Sequence, residues 1–302
     1  MSSGRDRPKD LALASAGSRE ARSESESFRF EARYLYPVIL SLCATGLLSS
    51  LIYYSGAKIE PITIFEETPG GATLNALYFV AILSGSATLL YLLLKYGLSK
   101  LVKYSMRLAV ALVAIFVSDW AVGLCLRALW PSAEPAKVPI ALSIAAALAY
   151  GSLRGRESPR AASVALLGAM TGTFLGSSIP LLTSVALLLA LAAYDALAVF
   201  RGPIGKIAER FPLEEFPGAT LTYQGVTIGM GDVVFYSMLA GGAMVNFGPL
   251  HYALSSLGLM LGLCAGLKML ERKDVFPGLP FAILLGLSMM GLSEAIRSLL
   301  AT

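Results

Sequence analysis

Histidine occurs once in the 302 residues, at His251. A metal centre built from several imidazoles is therefore excluded, as is a Ser-His-Asp triad resting on a second one. His251 falls at a predicted loop and is given no role. Cysteine is nearly as scarce: Cys43, Cys125 and Cys264 stand singly in apolar runs. They have neither zinc-site spacing nor a disulfide framework, and read as small buried hydrophobes. Charge is also sparse, with 15% charged residues against 56% hydrophobic ones. So little polar material does not clothe a water-facing surface, and a membrane protein is expected. The net charge of +4 is spread over short clusters between apolar runs, which argues against a nucleic-acid partner. No metal and no cofactor are expected.

Residues 1–28 are rich in Ser, Arg, Glu and Ala without apolar periodicity, and read as a disordered cytosolic tail. The remainder, 29–302, reads as one all-α polytopic unit. Its first apolar run begins near Tyr34 and lasts roughly 20 residues, a spanning length and longer than a signal-peptide core. Nine segments suit about 30 Å of hydrocarbon at 1.5 Å per residue. They are placed at 35–54, 73–94, 104–129, 136–151, 160–176, 179–200, 227–246, 250–269 and 278–299.

Counting cations tests this arrangement. Nine spans put only Lys58, Arg127, Lys137 and Arg297 on one side and every other Lys and Arg on the opposite side. The bias predicts a cytosolic N-terminus and a C-terminus on the far side, and removing one helix would scramble it. Two glycine series, Gly168/Gly172/Gly176 and Gly258/Gly262/Gly266, recur every four residues and predict close helix packing. In the loop after the sixth span, Ile204, Ile207 and Phe211 have helical spacing. The stretch 221–228 is rich in β-branched and aromatic residues and predicts a strand or short hairpin.

Four carboxylates fall inside predicted spans: Asp119, Asp195, Asp232 and Glu294. Each costs about 2.5 kcal/mol or more on insertion scales, so each requires a partner, a proton or a wet cavity. Glu294 precedes Arg297 by one helical turn, which accounts for it as an ion pair. Asp119 has no cation on its own face and is expected to bond a neighbouring helix. Asp195 and Asp232 differ, because topology brings them together. Asp195 lies six residues before Arg201, roughly 9 Å from the cytosolic end of its helix. Asp232 lies a few residues into the next, antiparallel helix, so the two share one depth. Carboxylates that meet hold one proton between them. One then takes a proton from water while the other protonates a carbonyl oxygen, and peptide hydrolysis follows without a covalent intermediate.

Neighbouring residues narrow the reading. Asp232 closes Gly229-Met-Gly-Asp232, where Gly229 and Gly231 would let a substrate backbone approach and give the helix start unusual freedom. Pro277-Gly-Leu279-Pro280 precedes the last span, and its prolines leave carbonyls and a bent chain available to a partner.

Tyr194-Asp195, Gly229-Met-Gly-Asp232 and Pro277-Gly-Leu-Pro280 together resemble the presenilin family of intramembrane aspartyl proteases of the GxGD type, in the order and on the helices found there. AYDALAVFRGP and GMGDVVFYSMLAGG are also similar to presenilin sequence. The resemblance is strong over about 190–290 and architectural elsewhere. It implies Asp195 and Asp232 as catalytic, with Tyr194, Gly229, Gly231, Pro277, Leu279 and Pro280 positioning the substrate. The partners it implies are single-span membrane proteins within a lipid bilayer. Gly278 stands where the family has Ala, and the loop at 201–226 lacks the long segment cut during maturation in animal presenilins. The short loop is similar to microbial homologues that work without accessory subunits, which implies a microbial cell membrane. Signal peptide peptidases share both aspartate motifs, but their helices run the opposite way. A proton-coupled transporter or ion leak pathway using the same carboxylates is the alternative, although no internal repeat supports it.

Overall fold

The computed structural model describes residues 31–57, 59–201, 220–223, 226–270 and 278–300. The predicted tail, the loop segment at 204–211 and Pro277 lie outside these residues. Among them are nine helices of 18 residues or more: α1 Tyr36–Ser55, α2 Pro69–Lys95, α3 Ser99–Leu129, α4 Lys137–Arg154, α5 Glu157–Ser178, α6 Leu181–Arg201, α7 Met230–Phe247, α8 Pro249–Leu270 and α9 Gly278–Leu300. Between α6 and α7 two strands, β1 Thr220–Tyr223 and β2 Val226–Gly229, pair antiparallel with Thr220 opposite Gly229.

Seven helices (α1 to α5, α8 and α9) are long and apolar enough to cross a membrane by length and composition, and α6 adds a shorter apolar stretch, Leu181–Leu197. The chain is thus a multi-pass integral membrane protein. The two helices outside the seven carry Asp195 and Asp232. Of these, α7 lies against α1, α5, α6, α8 and α9. Its residues are buried from Tyr236 through Met244, all round the helix. A helix sheathed by protein need not present an apolar face to lipid.

Glycine sets how closely the sheath fits. A Cβ at Gly172 would stand 2.3 Å from the Val234 carbonyl oxygen, and one at Gly176 would stand 2.4 Å from that of Met238. The α5 and α7 backbones therefore touch, as small residues every four positions permit in lipid. Gly258 and Gly262 do the same for α8 against the Leu285 and Phe281 carbonyls of α9. Across the bundle, the Tyr252 hydroxyl of α8 donates to the Leu42 carbonyl of α1 at 2.6 Å, beside Gly46.

One polar clasp fixes the start of α6. Glu67 Oε1 accepts from the Leu182 and Thr183 amides at 2.8 and 3.2 Å, and its Oε2 accepts from the Thr183 hydroxyl at 2.8 Å. A carboxylate there satisfies orphan amides and complements the helix dipole. Asn75 of α2 donates to Thr183 Oγ1 at 3.3 Å and braces residues 64 and 65.

Three expectations are corrected. Residues 227–229 belong to β2, so α7 begins at Met230 and Asp232 lies in its first turn. None of the three cysteines is buried: Cys43 is exposed, and Cys125 and Cys264 are intermediate. His251 is in α8, 1% exposed, and bonds Glu294 Oε2 at 2.8 Å, while Arg297 stands 3.8 Å from the same oxygen. Asp119 finds the cross-helix partner it was expected to need in Lys137, at 2.9 Å.

Gly172→Val is expected to destabilise the protein by about 1–3 kcal/mol, since its methyls meet backbone that does not yield. Thermal unfolding in detergent checks this, with Gly85→Ala as the comparison: nothing lies within 4 Å of a Cβ at Gly85, and no loss is expected there.

Candidate active site

The site is assembled from the end of α6 and the starts of α7 and α9. Asp195 is 14 residues into α6, well beyond the Glu67 clasp, and is half-buried. Its Oδ2 accepts the Leu279 amide of α9 at 3.3 Å. That amide is one of the unsatisfied donors of a helix N-terminus, and a carboxylate is their natural acceptor. Asp232 is the third residue of α7, and its carboxyl lies beside Gly229, the N-cap position. It lines a pocket of about 130 Å³ together with Thr227, Ile228, Tyr236, Leu263, Gly266, Leu267, Leu270 and Gly278. The first residues of α9 thus border both acids, Leu279 at Asp195 and Gly278 in the pocket of Asp232.

The remaining expected site residues fall into two groups. Leu279 and Pro280 are buried at the start of α9, with Leu279 supplying the amide to Asp195. Gly229 and Gly231 border Asp232. Gly229 has ordinary extended angles (φ −66°, ψ 139°), so the expected backbone freedom is not used there. What the glycines supply is bare backbone: a Cβ at Gly229 would stand 3.5 Å from Asp232 Oδ2, and one at Gly231 would meet only Phe235. Tyr194, by contrast, is 36% exposed, and no hydrogen bond is drawn from it to either aspartate. Pro277 is outside the described residues.

Two pocket residues were given no part in the site by the sequence reading and bear on its chemistry and shape. Tyr236 is 1% exposed and sits one turn after Asp232, on the same helical face. The (i, i+4) spacing from Asp232 was the available signal. Gly266 ends the α8 glycine series expected to serve packing, and it also lines the pocket.

The pocket's other walls are aliphatic, from Ile228, Leu263, Leu267 and Leu270. Among the described residues, no group of three or more His, Cys, Asp or Glu is placed to hold a metal ion. Two acids beside apolar walls and a helix N-terminus can transfer protons to a bound group, and the main-chain amide fixes one of them.

No family model matches the chain. One solved structure, of a presenilin family intramembrane aspartate protease in space group C222, superposes with a TM-score of 0.63 over 86% of this chain and 97% of its own, at 20% identity. The fold is that of presenilin family proteases. A second structure of such a protease, in space group P2, gives a TM-score of 0.61 at 19% identity, over 90% of this chain and 100% of its own. The presenilin fold thus extends well beyond the 190–290 region where motif similarity is strongest.

The placement of the two acids can be tested without any activity. In a chain with Cys43, Cys125 and Cys264 replaced by Ser, Asp195→Cys with Asp232→Cys is expected to take up one short bis-maleimide bridging both thiols. Tyr194→Cys with Asp232→Cys is expected to take up two, one per thiol. Intact-protein mass spectrometry separates these outcomes.

Proposed function

We propose that the protein is an intramembrane aspartyl endopeptidase that hydrolyses peptide bonds within transmembrane segments of single-span membrane proteins. The observation that carries this reading is that the start of α9 touches both neighbourhoods, its Leu279 amide bonded to Asp195 and its Gly278 lining the pocket of Asp232, in a chain with the presenilin protease fold. In the proposed reaction the two carboxyls share one proton. The ionised member takes a proton from water as the water oxygen attacks the scissile carbonyl carbon, and the other protonates the carbonyl oxygen. The tetrahedral intermediate collapses with proton transfer to the leaving amine. Which carboxyl acts first as base belongs to the pair and not to either residue.

Residues 29–302 form the protease unit in this reading, crossing the membrane nine times with the N-terminus cytosolic. Tyr194, Gly229, Gly231, Pro277, Leu279 and Pro280 position the substrate, and the chain acts without accessory subunits in a microbial cell membrane. The cation distribution and the enclosure of α7 support this topology. The relay or transporter alternative draws no support from the fold comparison.

Strand addition exposes the scissile bond in this scheme. Thr227 and Ile228 of β2 line the pocket that holds Asp232, and β1 packs on α5 with Tyr223 near Tyr36, at 5.8 Å between ring centroids. An unwound substrate segment lying beside β2 would present its backbone to the aspartates.

Asp195→Asn and Asp232→Asn are each expected to lower cleavage of labelled transmembrane peptides by roughly 10²-fold or more while the protein stays folded in detergent or lipid. Cleavage equal to wild type in either variant would sink the assignment. Deleting 221–226 is expected to abolish cleavage of a helical transmembrane substrate; undiminished turnover would remove strand addition from the mechanism.

A further inference from the structure

A second cavity, of about 650 Å³, lies at the opposite end of the bundle from the aspartates, where α1, α3 and α5 finish and α4 begins. Ile62 on its wall donates its amide to the Ser178 carbonyl at 2.8 Å, beside the start of α6. Asp195 is therefore roughly 20 Å away along α6 at 1.5 Å per residue. The proposed peptidase does not use this cavity.

Its chemistry is two-sided. Phe116, Asp119, Trp120, Gly123 and Arg127 follow one another at three- and four-residue spacing on one face of α3. Phe174 of α5 meets Phe116 and Trp120 edge to face, at centroid distances of 4.9 and 5.4 Å, and completes an aromatic wall. Opposing this wall is charge. Lys137 lies across Gly123, where a Cβ would stand 2.9 Å from its Cε, and reaches Asp119 at 2.9 Å. That pair is neutral and leaves ammonium donors of Lys137 unspent. Arg127 is exposed and has no salt-bridge partner among the described residues, so the cavity keeps one positive charge. Trp130, 68% exposed just past α3, marks this level as a membrane interface.

A soluble anion would satisfy Arg127 and leave the aromatic wall wet. A lipid with no net charge would cover the wall and leave the extra cation unmatched. We propose that this cavity is a binding site for a singly anionic glycerophospholipid. Its phosphodiester sits between Arg127 and Lys137, and its glycerol and upper acyl chain lie on Phe116, Trp120 and Phe174. A guanidinium and an ammonium on one phosphate, beside apolar surface at the interface, is the chemistry by which such headgroups are held.

The chain has two tryptophans, so Trp130→Phe leaves Trp120, inside the cavity, as sole reporter. Full-length Trp130→Phe protein is placed in unlabelled phosphatidylcholine vesicles containing small amounts of either phosphatidylglycerol or phosphatidylcholine with brominated chains, which quench nearby indole. Quenching is expected to saturate at about tenfold lower content of the brominated phosphatidylglycerol. Arg127→Gln is expected to erase that preference and Arg127→Lys to retain most of it. Equal quenching by the two lipids would overturn the proposal, reducing Arg127 to an ordinary interfacial cation. A preference undiminished in Arg127→Gln would overturn it too. Reversal of quenching by dilute glycerol phosphate in the buffer would reassign the site to a soluble phosphate.

Discussion

Everything in this bundle follows from backbone contact between α5 and α7. Gly172 and Gly176 let the carbonyls of Val234 and Met238 come where a side chain would otherwise be. Without a hydrophobic driving force between helices in lipid, such close packing is the main source of helix association. It draws α7 into the centre, and α1, α6, α8 and α9 close round it. A helix so enclosed carries a carboxylate at membrane depth without facing hydrocarbon.

Most of the fold was legible because spanning length is a coarse physical requirement. The apolar runs mark the nine long helices to within a few residues at most ends, and the four-residue glycine spacing marks the packed faces. What was not legible depended on neighbours. The start of α7 was read three residues early, because 227 and 228 belonged to both the expected strand at 221–228 and the expected span at 227–246, and pairing with β1 decides for the strand. His251 looked idle because its partner, Glu294, is 43 residues away and already explained by Arg297. Cys43 was taken as buried because hydropathy does not separate a lipid-facing position from a core one.

The candidate site divides in the same way. Topology led to Asp195 and Asp232, since consecutive antiparallel helices bring equal depths together, and the structure sets residues at the start of α9 beside each. The Leu279 amide was not, because the prolines drew attention to carbonyls and rigidity whereas the contact to Asp195 is made by a main-chain donor. Tyr194 was carried in by its motif, yet its side chain is exposed. Gly266 was assigned to packing by its series, and it also lines the pocket.

The tight α5–α7 seam has a mechanical consequence. Asp232 rides on a helix keyed into its neighbour by interlocking backbone, so it has little room to translate or rotate. Asp195 rides on α6, which packs on α2, α7 and α9 and keeps Leu182, Leu189 and Leu197 exposed. Asp232 thus stands on a helix locked to its neighbour by backbone contact, whereas Asp195 stands on a helix with a partly bare outer face.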